Sequence, residues 1–369
     1  MISLLLAGTA NAATLWESED TLYNLNFLGF FHLNGAARFG DDDERDPAIV
    51  TGFQEARLIG HFSSRLGSRF SAFMEVEATH TDDDTRGRME RLILKYDINN
   101  ASQFSVGRFH APVGYWNQYY HHGRWLQVSK DRPLQTEFGG AFLPAHYWGA
   151  MYERNIPMGE RIIELDLGAG AGRDEDVAAP SFDEVAVAKR LSLAKHGGHA
   201  EGTEVLESNW SVMGQVNVVP ASRRGLAWGG SFWYADLDGD GLKVKERIVT
   251  MHLNYIGESS ALLGEIAHSQ HERPSGGGHT DSTAGYLEYN FLLDSVSPRL
   301  RPYGRVEMSD IDDEDVAYSS VNSRSRLSLG ARFDVTPSSA LKFEVRRDRL
   351  RDGGPSTNTL QAQYAVIFW

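Results

Sequence analysis

Apolar and polar side chains alternate at every second residue along most of this chain, and that period excludes most folds. Phe27, Gly29, Phe31, Leu33, Gly35, Ala37 and Phe39 share one parity, and Asn26, His32, Asn34 and Arg38 share the other. Phe70, Ala72, Met74, Val76 and Ala78 stand against Arg69, Ser71, Glu75, Glu77 and Thr79. Leu300, Pro302, Gly304, Val306 and Met308 stand against Arg301, Tyr303, Arg305 and Glu307. Successive side chains of a strand point to opposite faces, so each segment is a ribbon with one apolar and one polar face. Sixteen such segments are centred near residues 32, 57, 74, 94, 106, 150, 165, 212, 230, 251, 264, 288, 304, 330, 345 and 363. Helical periodicity is almost absent.

The connections fall into two interleaved sets. One is short: 63–68, 97–102, 155–160, 220–225, 257–260, 294–298 and 336–339. The other is mostly longer and polar: 40–47, 81–88, 110–144, 172–209, 236–245, 270–283, 309–323 and 351–358. Seven short turns and eight longer loops are what an all-β, antiparallel, up-and-down barrel of 16 strands needs when both termini lie on the turn side. Short turns on one rim and long loops on the other mark transmembrane barrels of the bacterial outer membrane. A β-sandwich would carry similar loops at both ends. A propeller would repeat a motif every 40 residues or so.

Composition agrees. The 369 residues include no cysteine, which excludes disulfides, thiolate metal sites and cysteine nucleophiles. A formal charge of -14 argues against nucleic acid as a partner. No apolar run reaches the 18 or so residues of a membrane helix. Ile2–Gly8 is a short apolar run, and Ala10 and Ala12 supply the small residues that a signal peptidase reads. Residues 1–12 are therefore expected to be a signal peptide, and 13–369 a single barrel domain. Tyr364, Val366 and Phe368 alternate to an aromatic end at Trp369, the kind of last strand through which barrel-assembly machinery receives its clients.

Two segments carry a family resemblance. Phe104-Ser-Val-Gly-Arg-Phe-His-Ala-Pro-Val-Gly114 resembles the strand that enters the constriction loop of Gram-negative outer-membrane porins. Leu300-Arg-Pro-Tyr-Gly-Arg-Val-Glu-Met-Ser-Asp310 resembles a late strand of the phosphate-selective (O and P) porin family. The resemblance implies a homotrimeric, 16-stranded pore whose third outer loop folds inward. That family's clustered pore lysines cannot be placed here, with 7 lysines in the chain, so phosphate selectivity is not carried over.

By strand count 110–144 is the third outer loop. His110, Tyr115, Trp116, Tyr119, His121, His122, Arg124, Lys130 and Arg132 are its candidates for the constriction, the aromatics against the wall and the basic groups toward solute. Parity turns Arg38, Arg57, Arg69, Arg91, Lys95, Arg305, Glu75 and Glu307 inward as pore wall, because a charge facing lipid at midplane costs about 2–4 kcal/mol. A slight cationic excess at the constriction gives a weak anion preference. The acidic residues within 41–46, 82–84 and 310–315 are expected to form a solvated outer rim, the alternative being divalent-cation bridging to lipopolysaccharide at the lipid surface. Asp236, Asp238 and Asp240 match the first half of a calcium loop, although position 12 is Arg247 instead of glutamate. His196, His199, His268, His271 and His279 lie in or beside outer loops as further candidate metal ligands.

The function expected is passive diffusion of small hydrophilic solutes or ions, without enzymatic activity. Two alternatives remain open: a barrel sheath around a protein partner in an export or electron conduit, and an outer-membrane barrel hydrolase.

Overall fold

The computed structural model describes residues 12–40, 52–82, 84–121, 127–136, 142–172, 207–239, 242–272, 278–315, 317–318, 323–351 and 356–369. Its strands are β1 (Ala13–Glu17), β2 (Tyr23–Gly40), β3 (Gly52–Leu66), β4 (Phe70–His80), β5 (Thr85–Asn99), β6 (Ser102–His110), β7 (His146–Met158), β8 (Arg161–Gly172), β9 (Glu207–Pro220), β10 (Gly225–Gly239), β11 (Leu242–Ile256), β12 (Ser260–Glu272), β13 (His279–Phe291), β14 (Leu300–Asp310), β15 (Arg324–Thr336), β16 (Ser339–Leu350) and β17 (Ser356–Phe368). Among the described residues, one six-residue helix, α1 (Tyr115–Tyr120), and a single 3-10 turn, Leu134–Thr136, interrupt the pattern.

Each strand from β2 to β17 pairs antiparallel with the next, and β17 pairs with β2 from Thr357↔Gly40 to Phe368↔Gly29. Strands β2 to β17 thus form a closed barrel of 16 strands, whose own ladders run round the ring without an open edge strand. All 16 expected strand centres fall within these strands. The strand not expected is β1, which pairs with the start of β2 (Ala13↔Phe27) and prolongs the line of β17 beyond its end. Closure also uses Gly29: a Cβ there would collide with the Phe368 ring opposite it, so the aromatic covers the space the glycine leaves.

The alternation sorts cleanly between two environments. On β11, Val249, Met251 and Leu253 point outward and are 48%, 65% and 54% exposed, whereas Ile248, Thr250, His252 and Asn254 between them are buried. Val306 and Met308 on β14 and Phe343 and Val345 on β16 repeat the outward apolar pattern. Facing water, such a continuous apolar band would be a large liability; facing acyl chains, it is the transmembrane girdle. Toward the turn rim the band becomes aromatic, with ring contacts Phe70–Tyr96 at 5.0 Å and Tyr289–Phe291 at 5.8 Å. Amphipathic rings suit the interfacial zone.

The interior is more apolar than parity alone suggests. Ala111, Val113, Phe142 and Leu143 cluster with Trp233, Ile248, Met213 and Tyr147 of the inner wall. Leu28, Phe30, Ile59, Ala340, Ala365 and Ile367 form a second inner cluster, on strands that meet at the closure.

Two expectations about connections are corrected. The expected loop 236–245 is a hairpin whose strands stay paired to the tip, Asp236 opposite Lys245 and Asp238 opposite Lys243. An extended, laddered backbone cannot wrap oxygens around one cation, so the calcium-loop reading loses its loop. The side chain of Asp238, and Asp240 itself, lie outside the described residues. The acidic rim also changes. Asp315 is buried, its Oδ2 2.9 Å from His271 Nδ1, while His271 Nε2 lies 3.0 Å from Glu246 Oε1. His271 is thereby an ion-pairing group between two carboxylates instead of an exposed ligand.

Candidate functional site

The wall supplies a dense layer of paired charges. On β3–β6, Arg57 Nη2 is 2.9 Å from Glu55, Arg91 Nε is 2.5 Å from Glu75, and Arg88 pairs with Glu90. Arg108 donates to the carbonyls of Met89 and Glu90 at 2.7 and 2.6 Å. On β14, Arg305 Nε is 2.8 Å from Glu307 and its Nη1 is 3.2 Å from Glu288. Of the expected wall residues, Arg57, Glu75, Arg305 and Glu307 are buried on the inner face, and Arg91 and Lys95 are partly exposed there. Arg69 is a correction. It lies in the turn between β3 and β4, is exposed, and donates to Tyr96 Oη at 3.1 Å, because the ladder ends at Phe70 before its parity counts. The side chain of Arg38 lies outside the described residues.

The segment between β6 and β7 is tied to inward-pointing groups around much of the ring. Gly114 starts α1 with φ 85°, and its N–H donates to Ser231 Oγ of β10 at 3.0 Å. The N–H groups of Tyr115 and Trp116 donate to the two oxygens of Glu265 on β12, each at 3.1 Å. A Cβ at Gly114 would collide with Glu265 Oε1 and Leu143, so glycine is required there on both conformational and steric grounds. Gln118 donates to Asp166 and Tyr119 to Glu164, both on β8, at 2.5 and 2.6 Å. Burial, reinforced by the Glu164 charge, holds the Tyr119 phenol above its ordinary pKa range, so it stays a donor. Burial also raises Tyr115 and Tyr120.

Further on, the Lys130 N–H donates to Tyr303 Oη of β14 at 3.0 Å, and the Leu134 N–H to Glu307 Oε2 at 2.6 Å. Arg305 donates to Ser129 Oγ and to the carbonyls of Asp131 and Arg132. Lys342 Nζ donates to Ser129 O at 3.0 Å, and Arg346 pairs with Asp131 at 3.2 Å. In a ring of 16, β14 is eight places from β6, the diametrically opposite strand.

Of the residues expected at the constriction, the described ones are mostly buried. Tyr115 and Trp116 are buried and Tyr119 half-buried, as wall-packing aromatics should be. Lys130 and Arg132 are buried, not solute-facing: Lys130 Nζ is 2.8 Å from Asp131, and Arg132 donates to His121 O at 2.6 Å and lies over the Trp116 ring. Desolvated charges must be paired, which is why both are turned into the packing. His121 is buried and stacked on half-buried His110 at 4.1 Å. His122 and Arg124 lie outside the described residues. Ser231 and Glu265, which hold the start of α1, went unselected. Parity places both inward, but nothing local says what they touch.

No protein-family model matches this sequence, and no curated protein matches it. Solved structures do. The anion-selective porin of Comamonas acidovorans superposes with a TM-score of 0.61 at 13% identity, covering 94% of this chain and 100% of that one. The outer-membrane channel DcaP of Acinetobacter baumannii gives 0.58 at 11% identity, over 96% and 99%. OmpT, an outer-membrane protein of Vibrio cholerae, in trimer form, gives 0.55 at 10% identity, over 94% and 100%. The fold and the outward apolar band are those of an outer-membrane β-barrel. Within that class the architecture is the 16-stranded porin barrel.

Proposed function

We propose that this protein is a bacterial outer-membrane porin, a water-filled channel for passive diffusion of small hydrophilic solutes or ions, narrowed by the segment 110–144. The observation that carries the reading is the set of hydrogen bonds between residues 129–134 and β14. A segment that leaves the wall at β6 and bonds to the strand eight places away supports a path through the space a solute would use. Charged groups lining such a space act where screening is poor. A weak anion preference is the finer reading. Its support is Arg124 in the segment, Arg91 and Lys95 partly exposed on the inner wall, and the anion selectivity named for one fold neighbour. A homotrimer is the assembly proposed, in keeping with the trimer form of another neighbour.

At the buried His271 cluster a hydrolase is disfavoured: both nitrogens of His271 face carboxylates, and Ser282 donates to Asp315, so the imidazole has no position from which to activate that serine. A sheath around a protein partner needs a wide lumen, which bonds across to β14 would obstruct.

The test is single-channel recording in a planar bilayer with a salt gradient. Discrete conductance steps and a reversal potential displaced modestly toward the anion value are expected. Arg124→Glu should move that potential toward cations. A bilayer that stays silent with folded protein would overturn the channel reading. A cation-directed potential would overturn the preference alone.

A further inference from the structure

We propose that His110, His121 and His146 form a binding site for one divalent transition-metal ion, of the zinc or copper type, at the base of the segment that joins β6 and β7. The three side chains offer ligand nitrogens that all lie within 4.8 Å of one another. His110 and His146 face each other directly across the β6–β7 ladder, and they flank the point where the chain leaves and rejoins the wall. His121 follows the last residue of α1, and its ring lies 4.1 Å from that of His110 and 4.9 Å from that of His146.

The surroundings resemble those of a ligand set more than a chance stack. Asn117 donates through Nδ2 to the carbonyls of Ala111 and Pro144 at 3.0 and 3.1 Å. Both amide hydrogens are thereby used, so its Oδ1 is the atom facing His121 Nδ1 at 2.6 Å. His121 Nδ1 must therefore carry the proton, which makes Nε2 the unprotonated nitrogen of the neutral ring. Metal-binding histidines are oriented in this way by an acceptor on the second nitrogen. Glu90 Oε2 stands 2.9 Å from His146 Nε2 and adds an anionic group. Metal–nitrogen bonds of about 2.0–2.1 Å require the rings to draw closer by side-chain rotation.

The neighbouring charges choose the class of ion. Arg88, Arg91, Arg108 and Arg132 all lie near enough to act on these histidines. Glu90 engages Arg88, Glu75 engages Arg91, and Arg108 and Arg132 donate to backbone carbonyls. Such a field disfavours hard cations held by charge, such as calcium or magnesium. It leaves ions whose affinity comes from imidazole donation, with copper above zinc in intrinsic order. A bound ion would join both stems of the segment to the end of α1.

The test is titration of the full chain, folded in detergent, with Co2+ as a spectroscopic probe, followed by competition with Zn2+. It does not depend on channel activity. One Co2+ per chain should bind, with a visible d–d band that Zn2+ abolishes. His121→Ala and His146→Ala should each weaken binding at least tenfold. A His268→Ala/His279→Ala variant, removing the exposed histidines that share Asp281, should bind as the parent does. Heat-modifiable gel mobility checks that each variant is folded, and His110→Gln replaces any variant that is not. Absence of the band in the parent overturns the proposal. So does binding that persists in the folded variants of the three histidines, or that vanishes with His268 and His279.

Discussion

Gly114 shows how a single residue can hold a long segment in position. Its backbone at φ 85° is one that other residues adopt only with strain, and its missing Cβ lets Glu265 reach the N–H groups of Tyr115 and Trp116. Hydrogen bonds to a charged acceptor are worth about 1.5–3 kcal/mol each. Gly114→Ala and Glu265→Ala should therefore loosen the start of α1 without unfolding a barrel closed by 16 ladders. The expected outcome is a larger and noisier single-channel conductance with unchanged heat-modifiable mobility. Conductance equal to the parent's in both variants would mean that this anchor does not position the narrow part. The same residue scale explains where the loop's basic content misled. Charge alone assigns Lys130 and Arg132 to solute, whereas Asp131 and the His121 carbonyl take them into the packing.

At the scale of the element, closure depends on β17. Its register against β2 runs to Phe368↔Gly29, where the Phe368 ring fills the glycine's space and lies 6.1 Å from Phe27. Trp369, beyond the last ladder pair, is 54% exposed. Deleting Trp369, or replacing it with Asp, should lower the amount of assembled barrel in the outer membrane while sparing the stability of protein folded in vitro. Surface levels and heat-modifiable mobility measure the first, and a denaturant titration the second. Equal surface levels would refute a role in delivery.

For the whole molecule, the outward band is a single continuous surface, so its energetics depend on height above the midplane. Met251 lies near the middle of β11 and is 65% exposed in the isolated chain. Met251→Arg should destabilise the barrel in vesicles by about 2–4 kcal/mol, and Tyr255→Arg, nearer the rim, by about 0–1 kcal/mol. Urea titration of barrels folded into vesicles would measure both. Equal costs at the two positions would place the membrane elsewhere on the barrel.

Strand number, strand centres, facing and the placing of turns were all legible in the sequence, because a period of two is local and lipid and channel water enforce it at every residue. Three ribbons show how far this reaches: parity alone orients His32, Asn34 and Glu75 inward and Leu33 and Val306 outward, as found. What parity could not reach is contact between segments distant in sequence. Lys130 meets Tyr303 across 173 positions and Tyr115 meets Glu265 across 150, and no local pattern encodes such meetings. The same holds for His271 between Glu246 and Asp315, and for the gathering of His110, His121 and His146. The 236–245 hairpin failed for a related reason. Its Asp and Gly content reads as loop, but cross-strand pairing with Lys243 and Lys245 keeps it in the ladder. The alternating sequence by itself determined that this chain is a barrel; only tertiary closure decided what lies within it, because the interior is built from side chains that meet only after the ring has formed.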